Sequence, residues 1–134
     1  MNIATFDDLL AAAAIQPEPQ RLLFVFVGAE LPDAPSPEQQ ERFAQKRGGY
    51  LLPLMFVDKL PAEVADFAAL VDESKATGKS WDMVFVAGMS GRAGQPPSPQ
   101  DAEPMLKKMV ESIKGGRISH LLAFDRQGMP VQFF

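Results

Sequence analysis

Residues 80–99, SWDMVFVAGMSGRAGQPPSP, gather the groups in this chain best suited to hold a ligand. An apolar run over 83–87 ends in glycines at 88, 91 and 94, with Ser90 and Arg92 set between them. Glycine lets successive backbone N–H groups turn toward one point, which makes a nest for an anion. A guanidinium beside such a nest adds a planar cation suited to phosphate or carboxylate. The expected ligand-binding set is Gly88, Ser90, Gly91, Arg92 and Gly94, joined by Asp58 and Asp125 from other strand ends. Its ligand would be a small anion, held more than transformed.

Two catalytic motifs are approached and missed. Gly78-Lys79-Ser80 matches the end of a phosphate-binding P-loop, but position 73 is Glu and the triplet precedes a strand. Gly88-Met89-Ser90-Gly91-Arg92 approximates the G-x-S-x-G nucleophile elbow, with Arg in the fifth place. A serine relay would also need His120, the single histidine, near Ser90 with Asp125 or Asp58 behind it. No catalytic residue is assigned. Polar groups recur where strands are expected to end, at Glu30, Asp58, Ser90 and Asp125. Four at one edge could bind magnesium or move protons, but Asp and Glu also gather wherever strands stop.

Composition narrows the classes further. With no cysteine there is no disulfide, thiolate nucleophile or thiolate metal site, and one histidine makes zinc unsupported. No metal and no cofactor are expected. A net charge of −4, with Lys107-Lys108 as the densest basic pair, argues against nucleic acid. The apolar runs are far shorter than the ~20 residues of a membrane helix, so no membrane partner is expected. MNIATFDD lacks the basic start of a signal peptide, so the expected location is cytoplasmic.

The elements that must position these groups follow from periodicity and punctuation. Thr5 with Asp8 suits a capping box for a helix whose stripe is Phe6, Leu9, Leu10 and Ala13, stopped by Pro17 and Pro19. Residues 22–27, LLFVFV, are apolar throughout, which predicts a strand covered on both faces, as in a parallel sheet. A short polar helix is expected at about 37–46, then a strand over 50–57 that Pro53 either pushes toward an edge or delays to a start at Leu54. Pro61 suits a helix start ahead of Val64, Phe67, Ala68 and Val71.

A strand over 82–87 runs into the glycine loop. The next helix begins near Ser98-Pro99, or at Pro104, and presents Met105, Met109 and Ile113. Residues 118–124 predict another strand, Asp125-Arg126-Gln127-Gly128 a reversing turn, and 129–133 an antiparallel return. The expected fold is one α/β domain over residues 1–134, ordered α-β-α-β-α-β-α-β-β. It is a three-layer sandwich of about four mainly parallel strands plus an antiparallel C-terminal edge strand. Phe133 and Phe134 on that last strand suggest a homodimer contact.

Taken together, TFDDLL, PEPQRLLFVFV, FVDKLPAEVADFAALV, WDMVFVA-x-x-SGR and LLAFDRQGMPVQ resemble a family of short, uncharacterised bacterial proteins. Its members often carry the automatic label "ribonucleotide reductase subunit alpha". The likeness spans nearly the whole chain and implies no site residue, since no catalytic motif defines the family. The chemistry in the label requires a cysteine thiyl radical and a reducing cysteine pair, and this chain has no cysteine. The expectation is a non-catalytic domain that binds a small ligand or a protein, with an anion loop at 88–94. The alternative is a small enzyme for a phosphorylated or carboxylated metabolite, with Arg92 clamping the anion and Asp58 or Asp125 handling protons.

Overall fold

Thr5 starts the first helix, α1 (Phe6–Ala14), through a reciprocal cap. Its Oγ1 accepts from the Asp8 N–H at 3.3 Å, while the Asp8 carboxylate accepts from the N–H groups of Thr5 and Ala4. Two of the helix end's unpaired donors are thus satisfied from within four residues of sequence. In this computed structural model residues 3–30, 36–37 and 50–131 are described. The expected polar helix at 37–46 lies outside them apart from Pro37, as do Phe133, Phe134 and the dimer contact expected there.

Four strands form one sheet: β1 (Gln20–Glu30), β2 (Tyr50–Lys59), β3 (Met83–Ser90) and β4 (Leu122–Asp125). Their order is β2-β1-β3-β4 and every neighbouring pair is antiparallel. A 3-10 turn (Pro61–Glu63) and α2 (Phe67–Lys75) connect β2 to β3, and α3 (Pro99–Lys114) lies between β3 and β4.

Side chains alternate across β1 as a strand requires. Leu22, Phe24 and Phe26 enter a core with Phe6, Val64, Phe67, Leu70 and Trp81. Leu23, Val25 and Val27 enter a second core with Ala102, Leu106, Met109 and Ile113 of α3. Helices therefore cover β1 from both faces.

The expected parallel sheet is corrected: this is a mixed α+β domain whose four-stranded sheet is antiparallel throughout. Double coverage makes a strand apolar at every position whichever way its neighbours run, so residues 22–27 do not encode strand direction. A helix between strands permits a parallel crossover without requiring one. β2 and β3 do point the same way, but β1 sits between them, antiparallel to both. After α3, residues 115–121, with Gly116 at φ +74°, turn the chain. β4 consequently begins opposite Val86 and leaves opposite Met83.

Other boundaries shift for local reasons. The helix expected from Pro61 divides because Val64 is extended (φ −117°, ψ 107°) and Asp66 caps α2 anew through the Ala69 N–H. The strand expected at 118–124 shortens to β4. The antiparallel return after the 125–128 turn is a single bridge, Phe124 to Pro130, not a fifth strand. Met129 and Val131 each make one backbone bond to β4. β2 is an edge strand, as Pro53 requires, and the register slips between Phe26 and Val27 opposite it. Lys79 Nζ donates to the Leu54 carbonyl at that slip.

An aromatic cluster locks the first core. The Phe6 ring lies 5.0 Å from Phe67, 5.5 Å from Phe124 and 6.1 Å from Phe24. Phe26 and Phe67 both meet Trp81 edge-on, and the Arg126 guanidinium sits 4.7 Å above the indole. The buried indole N–H donates to Ser74 Oγ at 2.8 Å, so no polar atom there is stranded. Phe6 is fully buried and touches rings from three other elements. Phe6→Ala should cost about 3–5 kcal/mol, the range for aromatic deletion in a core. Urea denaturation followed by circular dichroism checks this.

Candidate functional site at the polar end of the sheet

Antiparallel pairing carries the start of β1, the end of β2 and the end of β3 to one end of the sheet. Gln20 lies opposite Ser90, Arg21 opposite Met89 and Leu23 opposite Asp58. Asp125 pairs with Met83 and Glu30 with Tyr50, both at the other end. The four polar strand ends are thus split two and two, and only Asp58 and Ser90 reach the end that carries the glycine loop. Asp125 serves its own turn, accepting at Oδ1 from the Gln127 and Met129 N–H groups.

Arg21 organises the shared end. Nearly buried, it donates from Nε to the Pro97 carbonyl at 2.6 Å and from NH1 to Asp58 Oδ2 at 2.7 Å. The strand β1, the strand β2 and the segment leading into α3 are joined by this one guanidinium. Sequence reading passed over Arg21, although a charged residue abutting six apolar positions on a doubly covered strand must find a partner. Removing that partner should be costly, because it strands a buried charge. Asp58→Ala is expected to lose about 3 kcal/mol in urea unfolding. A double replacement, Arg21→Met with Asp58→Leu, should lose less than the single one.

The glycine loop is a hairpin. Arg92 and Gln95 exchange backbone bonds of 2.9 Å each way. Between them Ala93 (φ 51°) and Gly94 (φ 77°) make the two-residue turn with positive φ at both positions. A side chain at Gly91 would collide with the Gln95 carbonyl, so glycine there permits close approach of the two arms.

Several of the loop's donors are bonded to protein acceptors. The Gly91 N–H bonds to the Pro19 carbonyl at 2.9 Å, and the Gly94 N–H bonds to Glu18 Oε2 at 3.0 Å. With Arg92 and Gln95 paired to each other, four of the loop's amides are engaged inside the protein. Ser90 Oγ accepts from Gln20 Nε2 at 2.9 Å, and an added Cβ at Gly88 would sit 3.3 Å from the Gln20 amide oxygen. Glu18 and Gln20, which complete this end, were not singled out from sequence; Glu18 lies in the proline-rich segment before β1 and Gln20 is the first residue of the strand.

Ser98 caps α3 with Asp101 in a second reciprocal box, each backbone N–H donating to the other's side chain. The bonds from Ser98, backbone first and then side chain, hold the Asp101 carboxyl below its ordinary 3.8, with a smaller Coulombic contribution from Arg92. A depressed folded-state pKa means that this cap contributes stability above pH ~3.8 and loses it as pH falls through the folded value. Ser98→Ala should return Asp101 toward 3.8, read by carboxyl NMR titration. His120 is exposed in the turn before β4 and has no hydrogen-bond partner among the described residues.

No family model, curated protein or solved structure matches this chain.

Beside the polar end lies a groove of about 370 Å³, walled by Leu10, Ala13 and Ala14 of α1 and by Leu60, Pro61 and Ala62. Gln16, Glu18 and Gln20 form its polar side, so Glu18 belongs both to the hairpin latch and to the groove. Among the described residues, no set of three or more His, Asp or Glu is placed to hold a metal. No helix among them is long and apolar enough to cross a membrane.

Proposed function

We propose that this chain is a non-catalytic small-ligand-binding domain whose seat is the groove between α1 and the 3-10 turn. The observation that carries this reading is how the candidate reactive groups are spent. Asp58 is committed to Arg21, Ser90 to Gln20, the Gly94 amide to Glu18 and Asp125 to its own turn. Those bonds hold strands and hairpin together, and Asp125 lies at the far end of the sheet from the rest. A reaction centre needs groups free to engage substrate and aimed at one point. A binding seat needs a concave apolar wall with a few placed polar atoms, and the groove supplies both.

The anion reading of residues 88–94 and the enzymatic alternative both call on Arg92 with free loop amides. Arg92 is exposed, and its charge reaches the Asp101 carboxyl only as a small Coulombic contribution. The groove places its apolar wall where the loop places paired amides, and so it is the favoured seat.

A fragment screen by amide-resolved NMR tests this. Neutral and charged fragments, including inorganic phosphate and acetate, are titrated into the full chain. Saturable shifts should cluster at Leu10, Ala13, Ala14 and Ala62, and every bound fragment should be recovered unchanged. Hits confined to residues 88–94, or any fragment converted by the protein, would overturn the proposal.

A further inference from the structure

The polar inventory of the groove specifies what chemistry it accepts. Among the described residues lining it, Glu18 is the one ionised side chain. Its Oε2 is fixed by the Gly94 N–H at 3.0 Å, while Oε1 has no protein partner among the described residues. The side-chain donors are the amides of Gln16 and Gln20; Gln20 spends both of its N–H groups on the protein and Gln16 one of its two. Gln16 Nε2 donates to the Ala12 carbonyl, and Gln20 Nε2 to the Glu18 carbonyl and Ser90 Oγ. Each of these amides meets a backbone carbonyl, which can only accept, so their orientations follow from the bonding. Pro19, Pro61 and Pro96 add wall without adding any N–H.

The groove is therefore apolar, rich in acceptors and singly negative. An anion would meet a carboxylate with no cation on the lining. A neutral apolar molecule would fill the wall and leave Glu18 partly desolvated without compensation. An ammonium group carried on an apolar body satisfies both halves at once, through a charge-assisted bond to a carboxylate already held in place. The volume, about 370 Å³, falls at the small end of the roughly 300–1,000 Å³ range of ligand sites. We propose that this groove binds a small primary amine with an apolar body, its ammonium paired to Glu18. The inference rests on the binding-domain reading above and names the ligand class for that same seat.

The test uses 2-phenylethylamine as probe on the full chain, followed by amide NMR, with 2-phenylethanol and 3-phenylpropionate as shape-matched comparators. The amine should bind saturably with shifts at Ala13, Ala14, Ala62 and Gly94. Its affinity should be at least about tenfold above that of the alcohol, the scale of one charge-assisted bond, and the carboxylate should bind more weakly than either. Glu18→Gln should erase the preference for amine over alcohol. Ala14→Leu, at an exposed position on the wall, should block all three probes while leaving Glu18 in place. Equal binding of amine and alcohol to the wild-type chain would overturn the proposal, and that comparison stands even if Glu18→Gln fails to fold. So would a preference that survives in folded Glu18→Gln. Fragments of other chemistry that bind in the same groove more tightly than the amine would remove the amine assignment and leave the binding reading intact, whereas an empty groove would remove both.

Discussion

The constraint on which the rest of this molecule depends is that β1 must be covered on two faces and paired on two edges. Six consecutive apolar residues, 22–27, leave no side of the strand that can face water. At roughly 1.5–3 kcal/mol for each large side chain buried, they supply much of the driving force for collapse. α1 and α2 answer the demand on one face and α3 on the other. β2 and β3 answer it at the edges. The aromatic cluster around Phe6 and the aliphatic face of α3 are thus two responses to one strand.

The polar end is a consequence of the same strand. Where the apolar run stops, Glu18, Gln20 and Arg21 follow one another within four residues and each reaches a distant segment. Glu18 holds the hairpin, Gln20 holds the end of β3, and Arg21 holds both Asp58 and the approach to α3. Fold and candidate site share these residues, which is why so many of their polar atoms are spent on holding segments together.

Much of the local structure was legible in the sequence because its causes are local. The Thr5/Asp8 box, the Ser98-Pro99 helix start, the turn at 125–128 and the edge position imposed by Pro53 each depend on neighbours a few residues apart. Coverage of 22–27 on both faces was legible too. Strand direction was not, since period-two alternation and full burial look the same in either sense. Long-range partnerships were equally hidden. Glu18 and Gly94 are 76 positions apart and Arg21 and Asp58 are 37 apart, so nothing near either member announces the other. The glycines at 88–94 are ambiguous for a physical reason: the freedom that builds an anion nest also builds a two-residue hairpin, and four of the loop's amides are bonded within the protein.

The placement of β1 also sets a hazard during synthesis. It is the first of the described strands and carries six consecutive apolar residues, yet its second edge is closed by β3 and much of its second face by α3, both from later in the chain. Until they arrive, a ribosome-bound chain carries an unpaired, sticky ribbon, the kind of segment that seeks edges on other molecules. No part of the domain that contains β1 but lacks α3 can shelter it. A chain ended before α3 leaves Leu23, Val25 and Val27 without the helix that covers them, and apolar strand exposed in this way favours association with other chains.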